Sequence, residues 1–302
     1  MKFFKLGIII LATLIANSCF SSNDFLLKDK LEVNKKLFLK TTYSLSYASS
    51  LYFLDKLWYS DYPRSNFHFI NDNKNWMYMD KFGHAFTSYQ LGIYGYNSFK
   101  WAGYDEMTSI LYGGLSGSIF LSAVEILDGF SSQWGASCGD FFANSAGSIL
   151  FIGQQLIFDT QKINLKFSYF PSKIRVENKR LLGNNEIEAI FKDYNAQKYW
   201  LTFNLQELLN ITSNNKIEWL NIAIGYGANN MIQANNSNNS TAYRQYFLSL
   251  DVDFSNVNIE NKLLEKIVKI LSFVKIPAPT LEFSKNNVIF HKINFMKNYI
   301  IF

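Results

Sequence analysis

Three pairs of polar residues interrupt an otherwise apolar stretch of this chain. Asp80 and His84 are four apart, Glu125 and Asp128 three apart, and Asp140 and Asn144 four apart. On a helix these spacings put both members of a pair on one face, so each pair presents two donors to the same spot. Carboxylates joined by one imidazole suit a divalent cation such as Mn, Fe or Zn, and they also supply acid–base groups. A reading without any ligand fits the same residues. In it Asp80 and Asp140 are carboxylates at helix N-termini, favoured by the dipole, His84 and Asn144 satisfy backbone groups, and the set is a hydrogen-bonded plug. The Glu-x-x-His pattern that a di-metal bundle wants on two helices is missing from the sequence. Phe82, Gly83, Ala85, Phe141, Phe142 and Ala143 surround the pairs, so the cluster is expected to be partly buried, where unpaired charge is costly.

Other chemistries find less support. There is no Gly-rich phosphate loop, no serine elbow and no pair of cysteines for zinc. A membrane lipid phosphatase would need a second His following an Arg, and His68, His84 and His291 are not so placed. The residues therefore favour a binding or scaffolding component over an enzyme, with a metal-assisted hydrolase of an envelope lipid or glycan precursor as the alternative.

Positioning the pairs falls to a helical half from about Asn34 to Phe158. Its apolar segments run near Lys35–Ser60, Asp80–Trp101, Glu106–Asp128 and Gly139–Phe158, separated by turn-rich breaks at Tyr62–Asn75, Gly103–Tyr104 and Gly129–Gly135. Short connections favour antiparallel neighbours and hence a four-helix bundle, which would gather the three pairs at one end. Gly113-x-x-x-Gly117 and Gly114-x-x-x-Ser118 mark a close helix contact, either in a soluble bundle or in a membrane. The windows Phe82–Phe99, Met107–Val124 and Phe141–Phe158 each lack formal charge, so membrane insertion of the bundle stands as an alternative to a water-soluble one.

Beyond Asp159 the apolar period becomes two. Ile163 to Tyr169, Tyr199 to Leu205, Leu220 to Tyr226 and Tyr246 to Phe254 alternate apolar and polar residues, and Leu281 to Phe295 holds a fifth run. Half-buried antiparallel strands give this pattern, and so do outer-membrane barrel strands. A barrel needs about eight strands, more than five or six, which favours a soluble sheet. Asn261–Val274 reads as an amphipathic helix covering that sheet, and Asn229–Thr241 as a solvated loop. The fold class expected is α+β, with a helical domain over 19–158 and a mostly antiparallel β domain over 159–302.

Residues 1–18 read as a signal peptide, with Lys2 and Lys5 before the apolar run Leu6–Ile15. Cleavage after Ala16-Asn17-Ser18 would expose Cys19, the residue a lipoprotein peptidase requires, although a plain secreted start fits the same small residues. Lipidation of Cys19 would tether the chain at the periplasmic side of the envelope, with the outer membrane as the expected anchor and an envelope protein or lipid as a possible partner. Cleavage removes both lysines and lowers the formal charge from +5 to +3. The remaining charges are scattered, without the basic patch of a nucleic-acid binder. Charged residues make up only 18% and aromatic ones 17%, a balance that suits an exported or membrane-proximal protein.

The runs Met79-Asp80-Lys81-Phe82-Gly83-His84, Glu125-x-x-Asp128-Gly129 and Gly139-Asp140-x-x-Ala143-Asn144-x-x-Gly147 resemble the YfiM-like family of predicted periplasmic lipoproteins. More distantly they resemble VanZ-like membrane proteins, which share Asp-Lys-x-x-His, a later Glu and Asp-x-x-x-Asn-x-x-Gly. The resemblance implies an exported lipoprotein and marks the site positions, but no reaction. The chain departs from the VanZ-like pattern at Gln133–Cys138, where an Arg is usual.

Overall fold

The computed structural model describes residues 28–59, 62–204, 219–234, 241–253, 260–285 and 287–292. The signal segment, Cys19 and the C-terminal Tyr299–Phe302 lie outside the described residues. The chain is α+β and divides into two compact units, one from Met1–Asn73 with Thr87–Asp159, the other from Lys74–Phe86 with Thr160–Phe302.

Helices dominate the first unit. α1 (Lys28–Leu54) continues into a π-helical turn at Asp55–Tyr59, and α2 (Met79–Trp101) contributes its residues from Thr87 onward. α3 (Glu106–Gly129) contains a π-helical turn at Ser109–Gly113, and α4 spans Cys138–Phe158. Caps explain the helix boundaries. Asp105 accepts from the Thr108 amide at 2.8 Å and starts α3, Ser137 accepts from the Asp140 amide and starts α4, and Asp159 ends α4 in the left-handed conformation at φ 56°. Two short strands, β1 (Phe69–Ile70) and β2 (Ala136–Ser137), pair in parallel and tie the loop before α2 to the start of α4.

Small and polar residues, more than large apolar ones, fill the space between these helices. Ser88 Oγ donates to the Asn144 carbonyl at 2.6 Å, Ser118 Oγ to the same oxygen at 2.7 Å, and Ser148 Oγ to the Gly114 carbonyl at 2.9 Å. Tyr47 OH on α1 reaches the Ser116 carbonyl of α3 at 2.7 Å. The glycine contact foreseen on α3 is present, since Gly113 lies against Gly95 and Tyr96, and Gly117 against the Ser88 backbone. Large apolar side chains point outward instead, among them Ile119, Phe142, Ile149 and Ile157.

The second unit is built on an antiparallel sheet in the order β3 (Ile163–Tyr169), β4 (Gln197–Asn204), β5 (Leu220–Asn229), β6 (Tyr243–Val252), β7 (Thr280–Ser284), β8 (Asn287–His291). The run expected at Leu281–Phe295 is a hairpin, β7–β8, that turns with Lys285 at φ 45°. Two short helices, α5 (Lys179–Leu182) and α6 (Glu186–Lys192), fill the connection between β3 and β4. The Asn185 side chain caps α6 by accepting from the amides of Ile187 and Glu188.

Alternation along these strands has the period the sequence announces, but its polar phase is the buried one. Lys166, Thr202, Asn221, Gln245, Ser249, Asp251 and Glu282 face inward, while Leu201, Ile224, Tyr246, Leu248, Leu250, Phe283 and Phe290 are exposed. Among the described residues, one end of the apolar face is covered, where Met79, Phe82 and Phe86 pack on Phe167, Tyr199 and Tyr226. The amphipathic helix α7 (Lys262–Ile270) forms behind its Asn261 cap. Its stripe of Leu263, Leu264 and Ile267, extended by Leu271, does not cover the sheet; it is exposed, Leu263 to 65%.

The glycine contacts in the first unit yield a direct test. A Cβ at Gly117 would land on the Ser88 backbone, whereas a Cβ at Gly153, also helical, meets nothing. Gly117→Ala should therefore lower the unfolding free energy by about 1–3 kcal/mol through overpacking. Gly153→Ala should raise it by roughly 0.5–1 kcal/mol through helix propensity. Thermal unfolding followed by circular dichroism reads both, and equal behaviour of the two variants would refute the close contact.

Candidate functional site

Ser137 organises the acidic residues of the first unit. It is the last residue of β2 and the cap of α4, so the pairing of β2 with β1 brings it beside the loop after β1. Its hydroxyl donates to Asp72 Oδ1 and accepts from the Asp140 amide, and its own amide donates to Glu125 Oε2 at 3.1 Å. Glu125 is 1% exposed and Asp140 3%. One residue of a short strand thereby joins a loop carboxylate, a carboxylate from the end of α3 and the backbone amide of Asp140 at the start of α4.

The partners of these residues follow from the same elements. Asp128, one turn after Glu125, accepts from Tyr59 OH at 2.6 Å. Asn144, one turn after Asp140, is buried, and its carbonyl takes the hydroxyls of Ser88 and Ser118. Glu125 and Asp140 contribute buried carboxylate oxygens, the donor type that hard divalent cations prefer. Sequence reading found Glu125, Asp128, Asp140 and Asn144 but missed Asp72 and Ser137, which belong to no helical pair. The only signal for Ser137 was its place three residues before Asp140, the spacing of a cap.

Asp80 and His84 belong to the second unit, on the first turns of α2. His84 Nε2 lies 3.7 Å from Asp80 Oδ1, Lys81 Nζ lies 3.1 Å from Oδ2, and Tyr194 OH donates to Oδ1 at 2.9 Å. Burial alone would raise the Asp80 carboxyl. The charges of His84 and Lys81 outweigh it and, with the hydrogen bonds of Lys81 and Tyr194, hold that group below the usual carboxylate range.

The buried face of the sheet carries a charged group that the sequence left unnoticed. Lys166 of β3 pairs with Asp251 of β6 at 2.6 Å and donates to the Val252 carbonyl. Lys275, in the segment between α7 and β7, lies 3.6 Å from the other Asp251 oxygen, donates to the Leu250 and Ile276 carbonyls at 2.7 Å, and sits 5.1 Å from the centre of the Trp200 ring. A cavity of about 410 Å³ opens on the same face, lined by Lys198, Trp200, Gln245, Lys275, Glu282 and His291. The inner side of this sheet is thus polar, charged and partly hollow.

Residues 68–152 match the family model DUF2279, predicted periplasmic lipoprotein. The DUF2279 segment starts at β1, contains α2, α3 and β2, and ends within α4. It holds Asp72, Asp80, His84, Glu125, Asp128, Ser137, Asp140 and Asn144, and leaves the six-stranded sheet outside. The description of DUF2279 implies export to the periplasm and membrane anchoring by a lipid. No curated protein and no solved structure matches the chain.

Lys275 gives the second test. Burial pushes its ammonium down from the usual lysine range to about 8, Asp251 opposing that shift and Lys166 reinforcing it. Between pH 8 and pH 10.5 the unfolded chain therefore binds more protons than the folded one, so this group makes stability rise with pH across that window. Comparison of Lys275→Met with the wild type over this range should show a rise, at most about 3 kcal/mol, that only the wild type has. Parallel pH profiles would contradict the burial of a titrating amine at this position.

Proposed function

We propose that this chain is an exported envelope protein, tethered through lipid on Cys19 to the periplasmic face of the outer membrane, that binds a divalent cation or a small polar ligand. Convergence on Ser137 of Asp72, Glu125 and the start of α4 carries this reading, because Glu125 and Asp140 are almost fully buried there. Carboxylates are seldom buried to this degree without a charge-balancing or hydrogen-bonding role. Glu125, Asp128, Asp140 and Asn144 are the ligands proposed, with Asp72 added from the geometry. Asp80 and His84 are proposed as a second carboxylate–imidazole pair with the same donor chemistry, tested separately.

The outward side chains of the helical unit favour a further reading of the same protein, in which this unit is itself inserted in a bilayer. Among the described residues α3 and α4 are long and apolar enough to cross a membrane. Their exposed Ile119, Phe142, Ile149 and Ile157 contrast with contacts between helices made by Ser and Gly beside the buried Tyr89, Leu121 and Phe151, an arrangement met where small residues and hydroxyls join helices in lipid.

Thermal unfolding with chelator and with added Mn²⁺, Zn²⁺, Mg²⁺ or Ca²⁺ tests the binding role. A native-state ligand at about a hundred times its Kd adds about 2.7 kcal/mol, so one of these ions should raise the melting temperature of the wild type by several degrees. Asp140→Asn should lose that rise while melting near the wild type in chelator, since it keeps shape and hydrogen-bonding capacity. Loss of the rise in Asp80→Asn as well would join the second pair to the site. Indifference of the wild type to every ion would refute the cation reading.

A further inference from the structure

The second unit has its polarity reversed. Around a small buried cluster of Trp200, Ala223 and Phe247, the inward phase of the sheet carries the polar Lys166, Thr202, Asn221, Ser249 and Asp251, whereas on the outward phase Ile224 is 51% exposed and Leu248, Leu250 and Phe290 are exposed beside it. The interior holds the Lys166–Asp251–Lys275 group and a cavity. In water such a sheet would expose its main apolar surface and bury its charges, both of which are costly. Against acyl chains the same distribution is favoured, because lipid takes the apolar face and the ions stay among their own partners, while β3 and β8, the edge strands among the described residues, keep their unpaired backbone groups out of the hydrocarbon.

α7 supplies an independent observation. Leu263, Leu264 and Ile267 fall on one stripe of α7, Leu271 continues it at the helix end, and all four are exposed. The helix sequence Lys262–Ile270 carries three lysines against one glutamate. An exposed apolar stripe on a lysine-rich helix is the signature of a helix lying in the interface of a membrane that carries anionic lipid.

We infer that the second unit contacts the bilayer directly, with the outer face of β4–β7 resting on acyl chains and the apolar stripe of α7 in the interface. This goes beyond the lipid-anchored reading. The acyl group on Cys19 would bring the chain to the membrane, and this surface would hold the β unit in it without that group. A second copy of the chain packed on the same apolar face is the competing occupant. Lipid is favoured over it because two separate apolar surfaces, a sheet face and a helix stripe, are exposed in one unit, and because the helical unit shows the same inversion.

The test uses the full chain with Cys19→Ser and Cys138→Ser, which leaves no native thiol. Single cysteines at Ile224, Leu248 or Ile267 report the apolar surfaces, and one at the exposed Glu177 reports water. Each is labelled with an environment-sensitive nitrobenzoxadiazole dye and reconstituted in vesicles of phosphatidylethanolamine and phosphatidylglycerol. We expect blue-shifted emission at the three apolar positions and severalfold stronger quenching there by doxyl-labelled acyl chains than at Glu177, with iodide quenching in the opposite order. Iodide access at Ile224, Leu248 and Ile267 equal to that at Glu177 would overturn the inference. So would protection of these positions from both quenchers in a cross-linkable dimer, which would assign the face to a second copy. Far-ultraviolet circular dichroism of each labelled chain checks that the sheet is intact, and Ile224 and Leu248 lie on adjacent strands, so either position alone decides the outcome for the sheet. Because the acyl site is absent throughout, failure of the anchoring reading leaves this result unchanged.

Discussion

Two serine hydroxyls on one carbonyl hold the helical unit together. Ser88 of α2 and Ser118 of α3 both donate to the Asn144 oxygen of α4, at 2.6 and 2.7 Å. They reach it only because glycines bring the backbones close: Gly117 lies on the Ser88 backbone and Gly113 on Gly95 and Tyr96. Around the buried Leu39, Tyr89 and Phe151, this core derives cohesion from hydrogen bonds and close packing of small groups, and many of its large side chains face outward. The positions of Asp140 and Asn144 follow from it, since α4 is held where its first turns meet the end of α3. Ser137 then needs only the two-residue pairing of β1 with β2 to draw Asp72 and Glu125 toward the same hydroxyl and amide.

The sheet obeys the same rule by other means. Its ladders satisfy the backbone, and a network of pairs links many of its inner side chains, although the Asn221 amide is buried without a hydrogen-bond partner. Lys166 meets Asp251, Gln245 meets Glu282 at 2.6 Å, His291 meets Glu282 at 2.7 Å, and Trp200 Nε1 donates to Ser168 at 2.9 Å. Polar groups removed from water stay satisfied only as such a network. The apolar phase of every strand is then left for the surroundings, as it is in the helices. Two units with different secondary structure and the same inversion point to one cause, a lipid environment, more economically than to two separate ones.

Much of the fold was legible in the sequence, and what was missed has a common physical source. Periodicity located the later three helical segments and the first four strand runs to within a few residues, because the spacing of apolar side chains reports the local backbone; the first helix starts seven residues before the expected Lys35, and the run from Leu281 is a hairpin of two strands. Periodicity cannot report which phase of an alternation is buried. Leu248 and Ser249 look the same under either assignment, and only the pairing of β6 with β5 and β7, together with the crossing of Lys275 over the polar face, decides it. For the same reason α7 was recognisable as amphipathic from Leu264, Ile267 and Leu271, but the direction of its stripe was not. The polar pairs were visible as pairs. Asp72 and Ser137 were not, since they join the acidic residues through a parallel contact between segments that the sequence does not mark.

Alkaline carbonate extraction of membranes carrying the Cys19→Ser chain tests the central claim, that the apolar exterior is a lipid-facing surface. Carbonate strips proteins held by charge or by peripheral contact and leaves inserted ones. On this account the chain without its acylation site stays in the membrane pellet. Its quantitative release as a folded, monomeric, water-soluble protein would contradict the account, because the exposed faces of α3, α4, α7 and the sheet would then have to be stable in water.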